Sequence, residues 1–150
     1  MYGGNRSDLR PLTEELARTW VRNLIDHDYA WIIEVGNRLI GHIRLDRVDL
    51  KDRRASLALG IEDRATLGVG VGPEAIDLVL RYAFDVLKLH RVSVRVVTYH
   101  KRAIRAYQKC GFVMEGRERE AAFVDGAWHD DVMMGIIDRE FNGRHDLIES

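Results

Sequence analysis

Little in this 150-residue chain offers a staple, an anchor or a strong net charge. Its one cysteine, Cys110, cannot form an internal disulfide, and no cysteine-based zinc cluster can be assembled. No run of about 18 apolar residues occurs, and the layout of a secretory leader is missing. The formal net charge is −1, from 23 Lys and Arg against 24 Asp and Glu. Bulk attraction to nucleic acid or to an anionic membrane is therefore not expected, and neither is counted among the partners. No repeat, linker or low-complexity block breaks the chain. What is present is ordinary: 46% hydrophobic and 31% charged residues, enough to bury a core unaided. Length and composition predict one domain over 1–150, a cytoplasmic setting, and a loose polar tail from Phe141 onward.

Periodicity supplies the elements. Thr13-Glu14-Glu15 opens a helical pattern with Leu16, Trp20, Val21, Leu24 and Ile25 on one face. Ala30–Val35 and Arg38–Leu45 read as strands around a tight turn at Gly36-Asn37. Asp49 to Arg53 is a charged connection, and Ala55–Ile61 is an apolar strand containing Gly60. A second helix places Ile76, Val79, Leu80, Ala83 and Leu87 on one face. Arg91–Val97 alternates as a strand, and Lys101–Lys109 reads as a short helix stopped by Gly111. Phe112–Val124 and Trp128–Ile137 flank Asp125-Gly126, a strong hairpin signal. The order implies an α/β domain with a mixed sheet. Hairpins precede the glycine loop, which argues against a dinucleotide-binding Rossmann unit. No Gly-Lys-Ser/Thr follows the glycines, which argues against a P-loop.

The glycine loop itself runs LGVGVGPE from Leu67 to Glu74. Pro73, with an acid behind it, marks a helix start at the first helical position. Glycines just ahead of a helix let main-chain N–H groups converge, and the helix dipole adds positive potential. Such a loop is either a phosphate cradle or a plain connection; the glycines alone leave both open.

A second motif, HKRAIRAYQKCGF from His100 to Phe112, follows the glycine loop and the segment LKLHRVSVRV. Together with the ending EGREREAAFVDGAWHDDVMMGI, these stretches resemble the GNAT superfamily of N-acetyltransferases, and within it the RimJ/RimL type. The likeness covers roughly Leu39 to Phe141. It implies the GNAT fold: a mixed, mostly antiparallel sheet flanked by helices, with a V-shaped splay between two central parallel strands. Here those strands are Ala55–Ile61 and Arg91–Val97. It also implies acetyl-CoA as co-substrate, a primary amine as acceptor, and no metal. The diphosphate would sit on amides of Leu67, Gly68, Val69, Gly70, Val71 and Gly72, since Pro73 has no N–H. Backbone of Leu59, Gly60 and Ile61 would pair with the pantetheine arm, and a glycine there suits a bulge or a close approach.

By the same resemblance Tyr107 is the catalytic residue. A phenol with an ordinary pKa of about 10 keeps its proton at neutral pH and can give it to a departing thiolate. From spacing alone Tyr107 reads rather as an aromatic buried against the sheet; it is the motif that turns the reading toward catalysis. His100 stands where many relatives have Asn, so it is a cofactor contact, a general base, or simply a helix cap or surface residue. Arg102 and Arg105, beside Lys101, are phosphate contacts or a solvated helix face. The general base is not marked: Ser56, in RASLALGI, replaces a Glu common in RimL-like chains. Glu34, His42, Glu62, Glu118, Glu120 and His129 are the candidates. The resemblance further implies a strand and helix ahead of Trp20–Val35; Asp8 to Leu12 could imitate that strand, or a homodimer partner could supply it. The expected acceptor is the α-amino group of a protein or peptide N-terminus. The alternatives are a small amine (polyamine, amino acid or amino-sugar) and a non-catalytic acyl-CoA-binding module.

Overall fold

The computed structural model describes residues 29–35, 38–61 and 71–142. The helix expected near Thr13–Ile25, the turn at Gly36-Asn37, Glu62 and the stretch Leu67 to Gly70 lie outside the described residues. Six strands form one sheet in the order β1-β2-β3-β4-β6-β5. They are β1 (Ala30–Val35), β2 (Arg38–Asp49), β3 (Arg54–Ile61), β4 (Arg91–Val97), β5 (Val113–Val124) and β6 (Ala127–Ile137). Helix α1 (Val71–Arg81) links β3 to β4, and helix α2 (Lys101–Lys109) links β4 to β5. The β3–β4 pair is parallel; the other four pairings are antiparallel.

One face of the sheet is apolar and carries the core. Ile43, Leu45, Leu57, Val92, Val94, Met134 and Ile136 are buried there together with Ile76, Val79, Leu80 and Ala83 of α1. The periodicity of α1 thus does what it predicts, except that Leu87 is only partly buried. The helix begins at Val71, so Pro73 is its third residue rather than its first. No N–H of the first turn has an acceptor inside the helix, so proline is tolerated throughout that turn. At its other end α1 widens into a π turn, Tyr82–Val86, closed by Leu87 N–H donating to the Tyr82 carbonyl at 3.0 Å. The extra residue seats Tyr82 edge-on against buried Trp31 of β1, ring centres 5.4 Å apart.

Two expectations need correction. The loose tail does not start at Phe141: a helical turn over 138–142 follows β6, and Phe141 is 2% exposed. Its ring packs 5.2 Å from Phe84, so burial of one aromatic outweighs the polarity of its neighbours. Strand β2 is also longer than expected, reaching Asp49 through an irregularity between Asp46 and Asp49. The final hairpin turns at Asp125 and Gly126 with φ of 52° and 79°, the pair of left-handed residues that a type I′ turn requires.

Candidate active site

Strands β3 and β4 pair only over Arg54–Ser56 against Arg91–Ser93. Beyond that point β3 stays on β2 as far as Ile61, and β4 stays on β6 as far as Val97. The two strands therefore part into a V, and the facing main-chain edges beyond Ser56 and Ser93 have no strand partner among the described residues. The closed end is clamped. His90 and Arg91 N–H both donate to the Arg53 carbonyl, at 2.6 and 3.2 Å, and Arg53 Nε donates to the Lys88 carbonyl at 2.9 Å. Ser56 and Ser93 hydroxyls meet at 3.4 Å where the strands divide.

The V is the floor of a cleft of about 840 Å³, a volume suited to a sizeable organic ligand. Leu57 to Leu59 and Val94 to Val97 line its strands, and Gly72, Pro73, His100, Arg102, Ala106 and Tyr107 line its helical side. Gly72 is buried, yet a side-chain carbon there would meet nothing within 4 Å.

Tyr107 reaches this cleft because of how α2 ends. Gly111, at φ 106°, takes a conformation closed to other residues without strain. It lets Phe112 N–H donate to the Tyr107 carbonyl at 3.0 Å and Gly111 N–H donate to Gln108 at 3.0 Å. This is a Schellman cap, and the side-chain contact that accompanies it is Phe112 edge-on against Tyr107, ring centres 5.3 Å apart. The sulfur of Cys110, one residue before that glycine, donates to the Pro73 carbonyl at 3.4 Å, tying the end of α2 to the start of α1. The Tyr107 side chain is 4% exposed, and its hydroxyl has no hydrogen-bond partner among the described residues. Burial pushes its pKa well above the ordinary phenol value, and the neighbouring Cys110 adds to the shift. Tyr107 is thus packed into the core and also borders the cleft.

The other expected site residues divide. Leu59 lines the cleft. Gly60 lies on the same free edge, and its missing side chain has a local reason: an added carbon would sit 2.6 Å from the His42 ring, which crosses it from β2. Ile61 and Val71 are placed by their backbone, at the end of β3 and the start of α1. His100 lines the cleft from the N-cap of α2 without capping it, its ring 4.6 Å from Tyr99. Arg102 lines the cleft; Arg105 instead borders a second hollow of about 310 Å³ between α2 and the β5–β6 hairpin.

None of the candidate bases that are described lines the cleft. Glu118 is 2.6 Å from Arg95, His129 packs against Tyr99, and His42 lies 3.3 Å from Arg44. The polar face of the sheet is instead a lattice of committed ion pairs. Arg44 Nε donates to both oxygens of Asp46 at 2.9 and 3.0 Å. Arg91 grips Glu115 with both arms and holds its carboxyl below the usual range. Arg95 reaches Glu118 and, at 3.6 Å, the nearly buried Asp131. Asp46, Arg47, Arg54, Arg91, Arg95 and Glu115 all line the cleft on this side, a cationic excess that no sequence motif marks. Among the described residues no cluster of three or more His, Cys, Asp or Glu is placed to hold a metal ion, and no helix is long and apolar enough to cross a membrane.

Known proteins agree with this geometry. The acetyltransferase (GNAT) domain family matches the chain over residues 1–113. The SPbeta prophage-derived uncharacterized N-acetyltransferase YokL of Bacillus subtilis is 29% identical over 137 residues, covering 90% of this chain and 77% of its own. The putative ribosomal N-acetyltransferase YdaF of the same organism is 27% identical over 144 residues, covering 95% and 78%. The spermidine N(1)-acetyltransferase of Vibrio cholerae is 27% identical over 133 residues, covering 87% and 76%. A crystal structure of spermidine N-acetyltransferase from that organism, in complex with CoA and spermine, superposes with a TM-score of 0.69 at 27% identity, over 75% of this chain and 67% of that one. A sheet that splits between its two parallel strands, with a buried phenol beside the split, is thus the frame of an acyl-CoA enzyme: the chain belongs to the GNAT family of N-acetyltransferases, which use acetyl-CoA as co-substrate.

Proposed function

We propose that the acceptor is the α-amino group of a peptide or protein N-terminus, in the manner of the RimJ/RimL type that the sequence resembles. The observation that carries this reading is the absence of an uncommitted carboxylate among the described residues lining the cleft: Asp46 and Glu115 are both held by arginines. An alkylamine with a pKa of about 10 is almost wholly protonated at neutral pH and needs a strong base, whereas an α-amine at about 8 is already partly neutral. The modest base that remains is His100, whose ring has no hydrogen-bond partner among the described residues.

The residues present fit acetyl-CoA. The free edge of Leu59, Gly60 and Ile61 offers main-chain groups to the amides of the pantetheine arm. The loop from Leu67 to Gly72 would hold the diphosphate at the start of α1, with Arg102 of α2 and His100 at its N-cap on the same helical side of the cleft. Arg105 lies off the cleft and drops out of that set. When bound, acetyl-CoA supplies an acyl group activated as a thioester, and transfer makes a C–N bond as a C–S bond breaks. Tyr107 keeps its proton at Oη and has no competing partner among the described residues; it would hydrogen-bond the departing sulfur, give it the proton as the thiolate forms, and take one back from solvent in the cleft. His100, or a water it binds, takes the proton that the amine releases.

A second reading, a small amine such as a polyamine, is favoured by the similarity to the Vibrio spermidine acetyltransferase. Thiol release from acetyl-CoA, measured with N-terminal peptides against spermidine and other small amines, separates the two. Higher kcat/KM on peptides supports the first; higher kcat/KM on spermidine replaces it with the second. We further propose that a homodimer covers the outer edge of β1. Light scattering at twice the 17.3 kDa chain mass supports it, and a monomer refutes it.

A further inference from the structure

The cleft has two ends of different character. β3 runs from Arg54 to Ile61, roughly 23 Å at strand spacing, and the chain leaves Ile61 for the glycine loop and α1, so Arg54 sits at the opposite end of the strand from that connection. Arg47 belongs to the same closed end: Asp46 pairs Ser56 and Asp49 pairs Arg54, which leaves Arg47 in the extra length of the bulge between them. Its φ is 53°, left-handed for a residue with a side chain. Bulges redirect side chains, and strained backbone collects at functional sites. Arg47, so redirected, lines the cleft beside Arg54.

These two arginines differ from their neighbours. Arg44, Arg91 and Arg95 are each paired with a carboxylate. Arg47 and Arg54 have no such partner among the described residues. The two carboxylates on the cleft wall beside them, Asp46 and Glu115, are already taken. The closed end thus presents two guanidinium forks uncommitted among the described residues, the donor geometry that carboxylates fit best.

We propose that the acceptor carries a carboxylate close to its reacting amine, and that Arg47 and Arg54 bind it. This rests on the reading of the cleft as an amine acetyltransferase site. The carboxylate is an acidic side chain near a peptide N-terminus or the α-carboxylate of a free amino acid; a polyamine is disfavoured.

The test is acetyl-CoA-dependent thiol release by the whole protein on matched acceptors: Ala-Glu-Ala-Ala against Ala-Gln-Ala-Ala, free glutamate against its diamide, and spermidine. The acidic member of each matched pair that turns over is expected to win by roughly tenfold in kcat/KM, the scale of a charge-assisted contact at a partly exposed site. The Arg47→Glu, Arg54→Glu double variant is expected to abolish that preference with KM for acetyl-CoA unchanged. Arg47→Gly is expected to hold or raise the melting temperature, because glycine suits the left-handed bulge, while losing most of the preference. A merely structural arginine would show the reverse. Equal use of acid and amide forms, or a preference for spermidine, overturns the proposal. An Arg47-dependent preference for free glutamate over every peptide sustains it and overturns the peptide reading instead. No turnover of any amine overturns both.

Discussion

The two ends of the cleft are built by different means. The end we propose for the cofactor offers main chain: the helix start at Val71 and the unpaired edge of β3 from Leu59 to Ile61. The end we propose for the acceptor offers side chains: Arg47 turned by a bulge, Arg54 at the head of β3, and a lattice of ion pairs that uses up the nearby carboxylates. Main-chain recognition leaves a readable mark where the loop must turn tightly and start a helix, because glycine and proline are favoured there. Side-chain recognition demands only a charge in the right place, and a surface arginine in a 31% charged chain looks like any other. The contrast explains why the activity is easier to read than the substrate.

The largest expected effect belongs to neither end and serves as the control. Phe141→Ala, removing a ring packed on Phe84, is expected to cost about 3–5 kcal/mol of stability by urea unfolding. KM for acetyl-CoA and the choice of acceptor are expected to stay the same; a shift in either would mean that the two ends are not independent of this part of the core.

Next comes the phenol that stands between the ends. Tyr107→Phe is expected to lower transfer by about 10²-fold, near 2.7 kcal/mol, with acetyl-CoA affinity by titration calorimetry unchanged. An unaltered rate would remove the proton donor from the mechanism.

A smaller effect tests the β2–β3 contact at the cofactor end. Gly60→Ala places a methyl 2.6 Å from the His42 ring, at a cost of about 1 kcal/mol. Adding His42→Ala is expected to recover most of that loss, since the ring is then gone. Failure to recover would assign the cost to the strand backbone instead.

The smallest effect is a pH dependence. The phenol of Tyr107 is pushed above its ordinary value by burial, so the unfolded chain releases that proton first. Its contribution is intact below about pH 10 and is lost as pH rises beyond that. Denaturation midpoints of the wild type are expected to fall more steeply between about pH 9 and pH 11 than those of Tyr107→Phe. Parallel curves would mean that the hydroxyl is solvated.

Much of the scaffold is legible in the sequence. Strands Ala30–Val35 and Arg91–Val97 and helix Lys101–Lys109 follow directly from alternation, helical period and the Gly111 stop. That same glycine, by forming the Schellman cap, also sets where Tyr107 sits, so a helix-stop signal positions the residue we propose as proton donor. What is hidden depends on contacts between distant segments. The π turn at Tyr82 accompanies that ring's contact with Trp31, and Phe141 is buried against Phe84. The bulge that turns Arg47 reads in sequence as the polar run Asp46-Arg47-Val48-Asp49, which looks like the end of a strand. Glu118 and His42 look like candidate bases until their arginine neighbours are seen.

Amide hydrogen exchange with and without acetyl-CoA tests the central claim most directly. The account predicts that CoA slows exchange along Leu57–Ile61, where β3 has left β4, and leaves Arg54–Ser56, already paired, unchanged. Protection confined to the hollow between α2 and the β5–β6 hairpin, with no change along β3, would contradict it.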